Sequence, residues 1–425
     1  MEGILANYNS NHNFKKLCIF HLSDDIVIFL QGAIMNDSRE NTYWLVFGIV
    51  GMGLLSLCSA VTLAQNAAVP AKPKLPDNTT GPQRIQIKAQ IDPRVELMSV
   101  LFHLAGNSEY NQCRSKYFML AVNDFFGAYR NHPAIQTAKR LRDSRGISYD
   151  AVMSMAAHIK DINTCAEIVP LNPLPQDLDN RWTPSNAREF LENCRDFIQK
   201  TNFSKFLEQN KDYYDQTTQR LQKMIDQYAK LDWFDKFFGS QPDTHFNLVV
   251  SILNGPSNYG TRITNEKQTE IYCILGASDI ELFGIGYPVF RPEMVSTVVH
   301  EFAHSYCNPI VDKHLNELKG FGEKLYPILK QKMEQQDYGN WQTMMRESLV
   351  RASEVRYAYA TAGPAMAQKI AKAHIERGFL WMNQLSDLLA GYEKQRDKYP
   401  DFESFFPKVV EFFQHYDVPD TTTTK

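Results

Sequence analysis

Pro292-Glu-Met-Val-Ser-Thr-Val-Val-His300-Glu301-Phe-Ala-His304-Ser-Tyr-Cys307 decides how the rest of the chain is read. In an α-helix, residues four apart lie one above the other, so His300 and His304 can offer imidazole nitrogens to a single ion. Glu301 falls beside such an ion, where a carboxylate can take a proton from water. Pro292 suits the first turn of a helix, Pro309 predicts its end, and no Pro or Gly stands between them. Val295, Val298, Val299, Phe302 and Tyr306 recur at three- and four-residue spacing and predict a buried stripe behind the histidines. From Thr297 to Tyr306 the only charged residue is Glu301. The competing explanation is a core helix with two hydrogen-bonded histidines. Burying an unpaired carboxylate between two imidazoles without a cation is costly, which counts against it.

With those residues in view, Thr297 to Tyr306 resembles the active-site helix of the zincin metallopeptidases. More narrowly, His300-Glu-Phe-Ala-His-Ser-Tyr-Cys-Asn-Pro309 resembles a family of mostly bacterial secreted proteins described only as a domain of unknown function, over about Pro93 to Val418. The resemblance implies a fold and a metal, Zn2+. It also implies a compact sheet just upstream of the metal helix. An edge strand of that sheet would lie along the cleft and align an extended peptide by main-chain hydrogen bonds. Glu270 to Leu275 is the candidate for that edge.

A catalytic zinc site takes three protein ligands and a water, so a third ligand is required. The metzincin pattern needs Gly and His at places held here by Cys307 and Ile310, which excludes that class. Cys307 shares the helix face. Yet ligands at i, i+4 and i+7 on one straight helix span ~10 Å, too far to meet at one ion. A carboxylate from a later helix remains, the gluzincin arrangement. Glu347 and Glu354 lie seven apart on a segment lined with small Ser and Ala residues, and so share a face. Periodicity does not choose between them. Arg351, one turn after Glu347, is placed to fix that carboxylate, and the resemblance puts a Glu at the same place. Glu347 is therefore the candidate and Glu354 the runner-up. Tyr357 and His374 are candidates for stabilising an oxyanion.

These residues lead to the expectation of a zinc hydrolase acting on a peptide or protein, with Glu301 as general base and His300, His304 and Glu347 as ligands. A non-peptide amide is an alternative substrate. A different class of protein would be a binding or scaffold module with a structural or vestigial zinc. A net charge of -3 offers no basic field for nucleic acid, and 44% hydrophobic residues suit a globular protein with a sizeable core.

The fold class expected is α+β, mainly helical, with a small antiparallel or mixed sheet beside the metal helix. Residues 1–42 form an extension without a clear pattern. Tyr43 to Ala64 runs 22 residues without a charge, long enough to span a bilayer, and ends in small residues like a secretory signal. A start at Met35 would leave a short leader. Signal or anchor, this segment implies an exported catalytic part, tethered to the membrane if uncleaved. Residues 65–83 hold four prolines and predict a semi-rigid linker.

Within 84–240, Arg84 to Gln90 alternates like a strand, and helices are expected over 94–104, 112–129, 148–158, 185–198 and 203–228. Their aromatic residues Phe118, Phe125, Phe126, Phe190, Phe197, Tyr213 and Tyr214 are read as core. Within 241–425, strands are expected over 245–253, 261–264 and 270–275, and helices over 314–333, 341–360, 365–392 and 402–415. Beyond the apolar segment five cysteines remain, Cys113, Cys165, Cys194, Cys273 and Cys307, which allow at most two disulfides.

Overall fold

The computed structural model describes residues 87–417, apart from 240 and 242, and the backbone of four strands within residues 3–48. The chain forms two compact units, Met1–Asn78 and Thr79–Lys425. In the first, β1 (Gly3–Ala6), β2 (Phe14–Leu22), β3 (Asp25–Asn36) and β4 (Arg39–Gly48) pair antiparallel in chain order. The beginning of the apolar run, Tyr43 to Gly48, closes β4. The rest of that run and the linker 65–83 lie outside the described residues. Among the described residues no helix is long and apolar enough to cross a membrane.

The second unit is α+β and mainly helical. A short strand, β5 (Ala89–Gln90), leads into α1 (Pro93–Leu104), α2 (Lys116–Phe126), α3 (Pro133–Arg145) and α4 (Asp150–His158). Next come α5 (Pro184–Thr201), α6 (Phe203–Gln209), α7 (Lys211–Tyr228) and α8 (Trp233–Phe238). Strands β6 (Thr244–Ser251), β7 (Tyr259–Thr264) and β8 (Thr269–Gly276) follow. The chain closes with α9 (Met294–Lys313), α10 (Leu315–Glu334), α11 (Trp341–Ala362), α12 (Pro364–Glu376), α13 (Met382–Glu393) and α14 (Phe402–His415).

The sheet is mixed, in the order β5-β6-β8-β7, with β5, β6 and β8 parallel and β7 antiparallel to β8. It separates two hydrophobic clusters, and the two-residue period of a strand assigns its side chains to them. Leu248, Val250, Ile271, Cys273 and Leu275 join the cluster built with α9 to α14. Val249, Tyr272 and Ile274 join the cluster built with α1 to α6. The parts expected as 84–240 and 241–425 therefore share one sheet inside one compact unit. Of the seven aromatic residues read as core, six are buried and Phe125 packs half-buried against the same cluster; all five cysteines of the described residues are free thiols.

Several expectations are corrected. Glu270 to Leu275 belongs to β8, an interior strand paired on both sides; the edge next to it is β7, and the other edge is β5. The 203–228 helix breaks at Asn210, whose side-chain amide donates to the carbonyl of Phe206 at 2.9 Å and competes with the backbone. The 365–392 helix breaks between α12 and α13 around Gly378, whose φ of +111° no helix accommodates. Two helices, α3 and α8, went unread; α3 opens on Pro133 directly after the loop at Asn131.

Helix α9 does not stop at Pro309 but continues to Lys313. A proline inside a helix leaves the carbonyl four residues earlier without its donor. Here that carbonyl belongs to Ser305, and Arg262 of β7 donates to it from Nη1 at 3.4 Å. The strand thus supplies the hydrogen bond that the helix lacks.

Candidate metal centre

Helix α9 presents His300, Glu301 and His304, and α11 packs along it. Ser348, Ala352 and Ser353 of α11 are fully buried and small enough to allow close approach, with Ser353 Oγ 3.7 Å from Cys307 Sγ. Asn340 caps α11 by accepting from Thr343 N–H at 2.8 Å, which sets where the helix starts and so the height of Glu347.

Two ring nitrogens and one carboxylate meet at one point. His304 Nε2 lies 3.1 Å from His300 Nε2 and 3.3 Å from Glu347 Oε1, and His300 Nε2 lies 3.8 Å from Glu347 Oε2. Donors at ~2.1 Å from a tetrahedral ion stand ~3.4 Å apart, so these separations fit.

The hydrogen bonds on the far side of each ring turn the Nε2 atoms toward the centre. His300 Nδ1 contacts Glu354 Oε1, and His304 Nδ1 lies 3.2 Å from Asn308 Oδ1. Both partners are acceptors, so each Nδ1 donates to its partner and each Nε2 is left facing the centre, as a lone pair where the ring is neutral. Two lone pairs and a carboxylate oxygen facing one another repel unless a proton or a metal ion sits among them. This set of two imidazoles and one carboxylate could hold a metal ion.

The charges around the centre agree. Burial opposes the charged form of His300, but Glu354 and then Glu347 and Glu301 outweigh it and raise its pKa to about 9. Burial would raise Glu347, yet His304, His300 and Arg351 pull it down to about 2. Glu354 is likewise held well below the usual carboxylate range by His300 and His374 against burial. Without an ion this pocket binds a proton tightly, as a strongly anionic site does.

Each candidate residue can now be placed. Glu347 lies in the donor set, whereas the runner-up Glu354 stands behind His300, its Oε2 3.0 Å from His374 Nε2. Arg351 Nη1 donates to His374 Nδ1 at 3.3 Å. Arg351 Nη2 reaches Tyr338 Oη at 2.6 Å and Glu347 Oε2 at 3.2 Å, and Tyr338 donates to Glu347 Oε2 at 2.9 Å. Cys307 is buried outside the set, its thiol pushed up to about 12 by burial. Tyr357 faces away, accepting from Lys230 N–H at 2.8 Å, and His374 is buried behind Glu354. Neither could meet an oxyanion.

Glu301 and His304 open onto a cleft of about 1100 Å³. Its other walls are β7 at Gly260 to Arg262, the turn of α9 at Ser305 and Asn308, and the segment from Val169 to Asp179. A Cβ on Gly260 would stand 2.7 Å from Glu301 Oε2, so this glycine makes room for the carboxylate. Thr264 N–H points off the sheet edge, donating to Asp177 Oδ2 at 2.8 Å. By alternation, the main-chain groups of Gly260 and Arg262 point off the same edge into the cleft.

Sequence reasoning missed Asn308, Tyr338, Gly260 and Arg262. Asn308 was within reach, one helical turn after His304. The other three depend on how β7 and the turn before α11 fold back onto α9, which no local spacing reports. No curated protein and no solved structure matches the chain. A family model does match, over residues 87–412, and it takes in the sheet, both ligand-bearing helices and every residue of the centre. The chain belongs to the family described as Domain of unknown function (DUF4932).

Proposed function

We propose that the protein is a zinc-dependent hydrolase of the gluzincin arrangement, acting on peptide bonds. One observation carries this: three lone-pair donors from His300, His304 and Glu347 face one point, and the adjacent Glu301 carboxylate lies on a cleft. Structural zinc sites are closed by four protein ligands, while catalytic ones keep a position open. Among the described residues the donor set holds three. A zinc ion bound there would supply Lewis acidity toward a carbonyl and toward water.

The chain's own residues do the rest. Glu301 accepts the proton of the attacking water in the cleft and returns it to the leaving amine. Gly260 and Arg262 offer main-chain groups along the cleft, which suits an extended peptide added to the edge of β7 more than a compact amide. Glu354 and Asn308 fix the histidine rings and their tautomers. The same reading takes Tyr43 to Ala64 as a signal or anchor and the catalytic part as exported. Recovery of the uncleaved chain in the soluble cytosol of its host would remove that element.

The test combines metal content with turnover. The purified protein should hold one zinc per chain and cleave members of a peptide library. Glu301→Gln should keep the metal and lose cleavage. A protein without metal, or a Glu301→Gln variant as active as its parent, would overturn the proposal.

A further inference from the structure

The two oxygens of Glu347 are not equivalent. Oε1 lies 3.3 Å from His304 Nε2 and Oε2 lies 3.8 Å from His300 Nε2, so both oxygens border the donor point. Oε2 is engaged twice, by the Tyr338 hydroxyl at 2.9 Å and by Arg351 Nη2 at 3.2 Å. We infer that Tyr338 and Arg351 act as positioning residues that hold Glu347 as a one-oxygen ligand and keep a coordination position free for water or substrate. This rests on the proposed metal site and deepens it.

The stereochemistry is self-consistent. The single hydroxyl proton of Tyr338 goes to Glu347 Oε2, and its lone pair accepts from Arg351 Nη2 at 2.6 Å. Arg351 and Glu347 are both about 5% exposed, so neither group has water to fall back on. The guanidinium stacks on Phe379 at 4.9 Å, which limits its swing. Tyr338 is itself pinned at both backbone ends. Its N–H donates to Met333 O at 3.0 Å, and its carbonyl accepts from the Tyr326 hydroxyl at 2.8 Å. A carboxylate with one oxygen tied down twice cannot rotate to give both oxygens to an ion. Released, it could chelate and fill the open position, raising the coordination number from four to five. The same arginine also contacts His374, the partner of Glu354, so one cation steadies the outer supports of both His300 and Glu347.

The experiment replaces zinc with cobalt(II) in the full chain, because its visible absorption reports coordination number while zinc is silent. Wild type should give the intense bands of a four-coordinate ion. Tyr338→Phe should give bands several-fold weaker, those of a five-coordinate ion, with zinc affinity changed by roughly 10–100-fold. Circular dichroism confirms that the variant is folded; should it not be, Arg351→Gln is read in the same way. An unchanged cobalt spectrum in a folded variant overturns the inference, whatever happens to affinity, since a merely structural tyrosine would alter stability alone. A wild-type chain that binds neither metal removes the proposed function as well, which keeps the two failures apart.

Discussion

Gly260 on the edge strand β7 and Glu301 on α9 touch so closely that any side chain at position 260 would displace the carboxylate: a Cβ there stands 2.7 Å from Glu301 Oε2. Contacts that short do not persist, and the carboxylate is the part free to move. Gly260→Ala should therefore push Glu301 out of line while leaving the histidines and Glu347 untouched. A displacement near 1 Å at the reacting centre costs on the order of 100-fold in rate. The expected result is a loss of roughly that size in kcat with zinc content unchanged. Full activity in Gly260→Ala would mean that Glu301 acts from elsewhere or not at all.

Glu347 and Glu354 sit two turns apart on α11 and look alike in the sequence, but their surroundings differ. Glu347 shares the donor point, while Glu354 supports His300 from behind. Glu347→Ala should abolish stoichiometric zinc binding. Glu354→Ala should weaken it by roughly 10–100-fold, as loss of an outer support does, and Asn308→Ala by less because its acceptor is neutral. Competition titrations with a zinc chelator rank the three. Retention of tight zinc in Glu347→Ala would show that another residue is the third ligand.

Much of this site was legible because its geometry is local. His300, Glu301 and His304 are fixed relative to one another by the helix alone, and the seven-residue spacing on α11 narrows the third ligand to two glutamates. What was not legible depends on chain crossing. The interior strand Glu270 to Leu275 was taken for the edge because a three-strand run reads most simply as a meander. Instead β8 inserts between β6 and β7 and pairs in parallel with β6. Pro309 was taken as a helix end because its own missing N–H is visible in the sequence, whereas the replacement donor, Arg262, lies 43 residues upstream of Ser305. The break at Asn210 rests on a side chain bonding its own helix, which competes too evenly with helix propensity to be read in advance.

Arg262 can be separated from the chemistry. Its guanidinium serves the Ser305 carbonyl, donates to Thr264 Oγ1 at 3.2 Å and lies 3.4 Å from Asp177, so Arg262→Met keeps most of the stem and removes all three. Leaving a backbone carbonyl without its donor costs about 1–3 kcal/mol where it is buried. Urea unfolding should show a loss in that range. Restoring the missing N–H by Pro309→Ala in the same chain should recover part of it. No recovery in the double variant would mean that Arg262 stabilises through Asp177 or Thr264 and not through the helix.

Far from the candidate metal centre, Glu96 on α1 is fully buried, with the Tyr214 hydroxyl donating to its Oε2 at 2.8 Å. Burial is the dominant effect on this carboxyl and raises its pKa from 4.5 to about 7, the tyrosine hydrogen bond only partly offsetting it. Below pH 4.5 both the folded and unfolded chains hold the proton, and Glu96 contributes no pH dependence. Between 4.5 and about 7 the folded chain holds a proton that the unfolded chain has lost, so stability falls as pH rises. Above about 7 both are ionised and the cost levels off, at about 3 kcal/mol for a shift of this size. Glu96→Gln keeps an acceptor for Tyr214 and cannot ionise. Relative to its parent it should gain about 2–3 kcal/mol between pH 5 and pH 8 in urea unfolding. A difference between the two proteins that stays flat across that range would show that Glu96 ionises as freely in the fold as outside it.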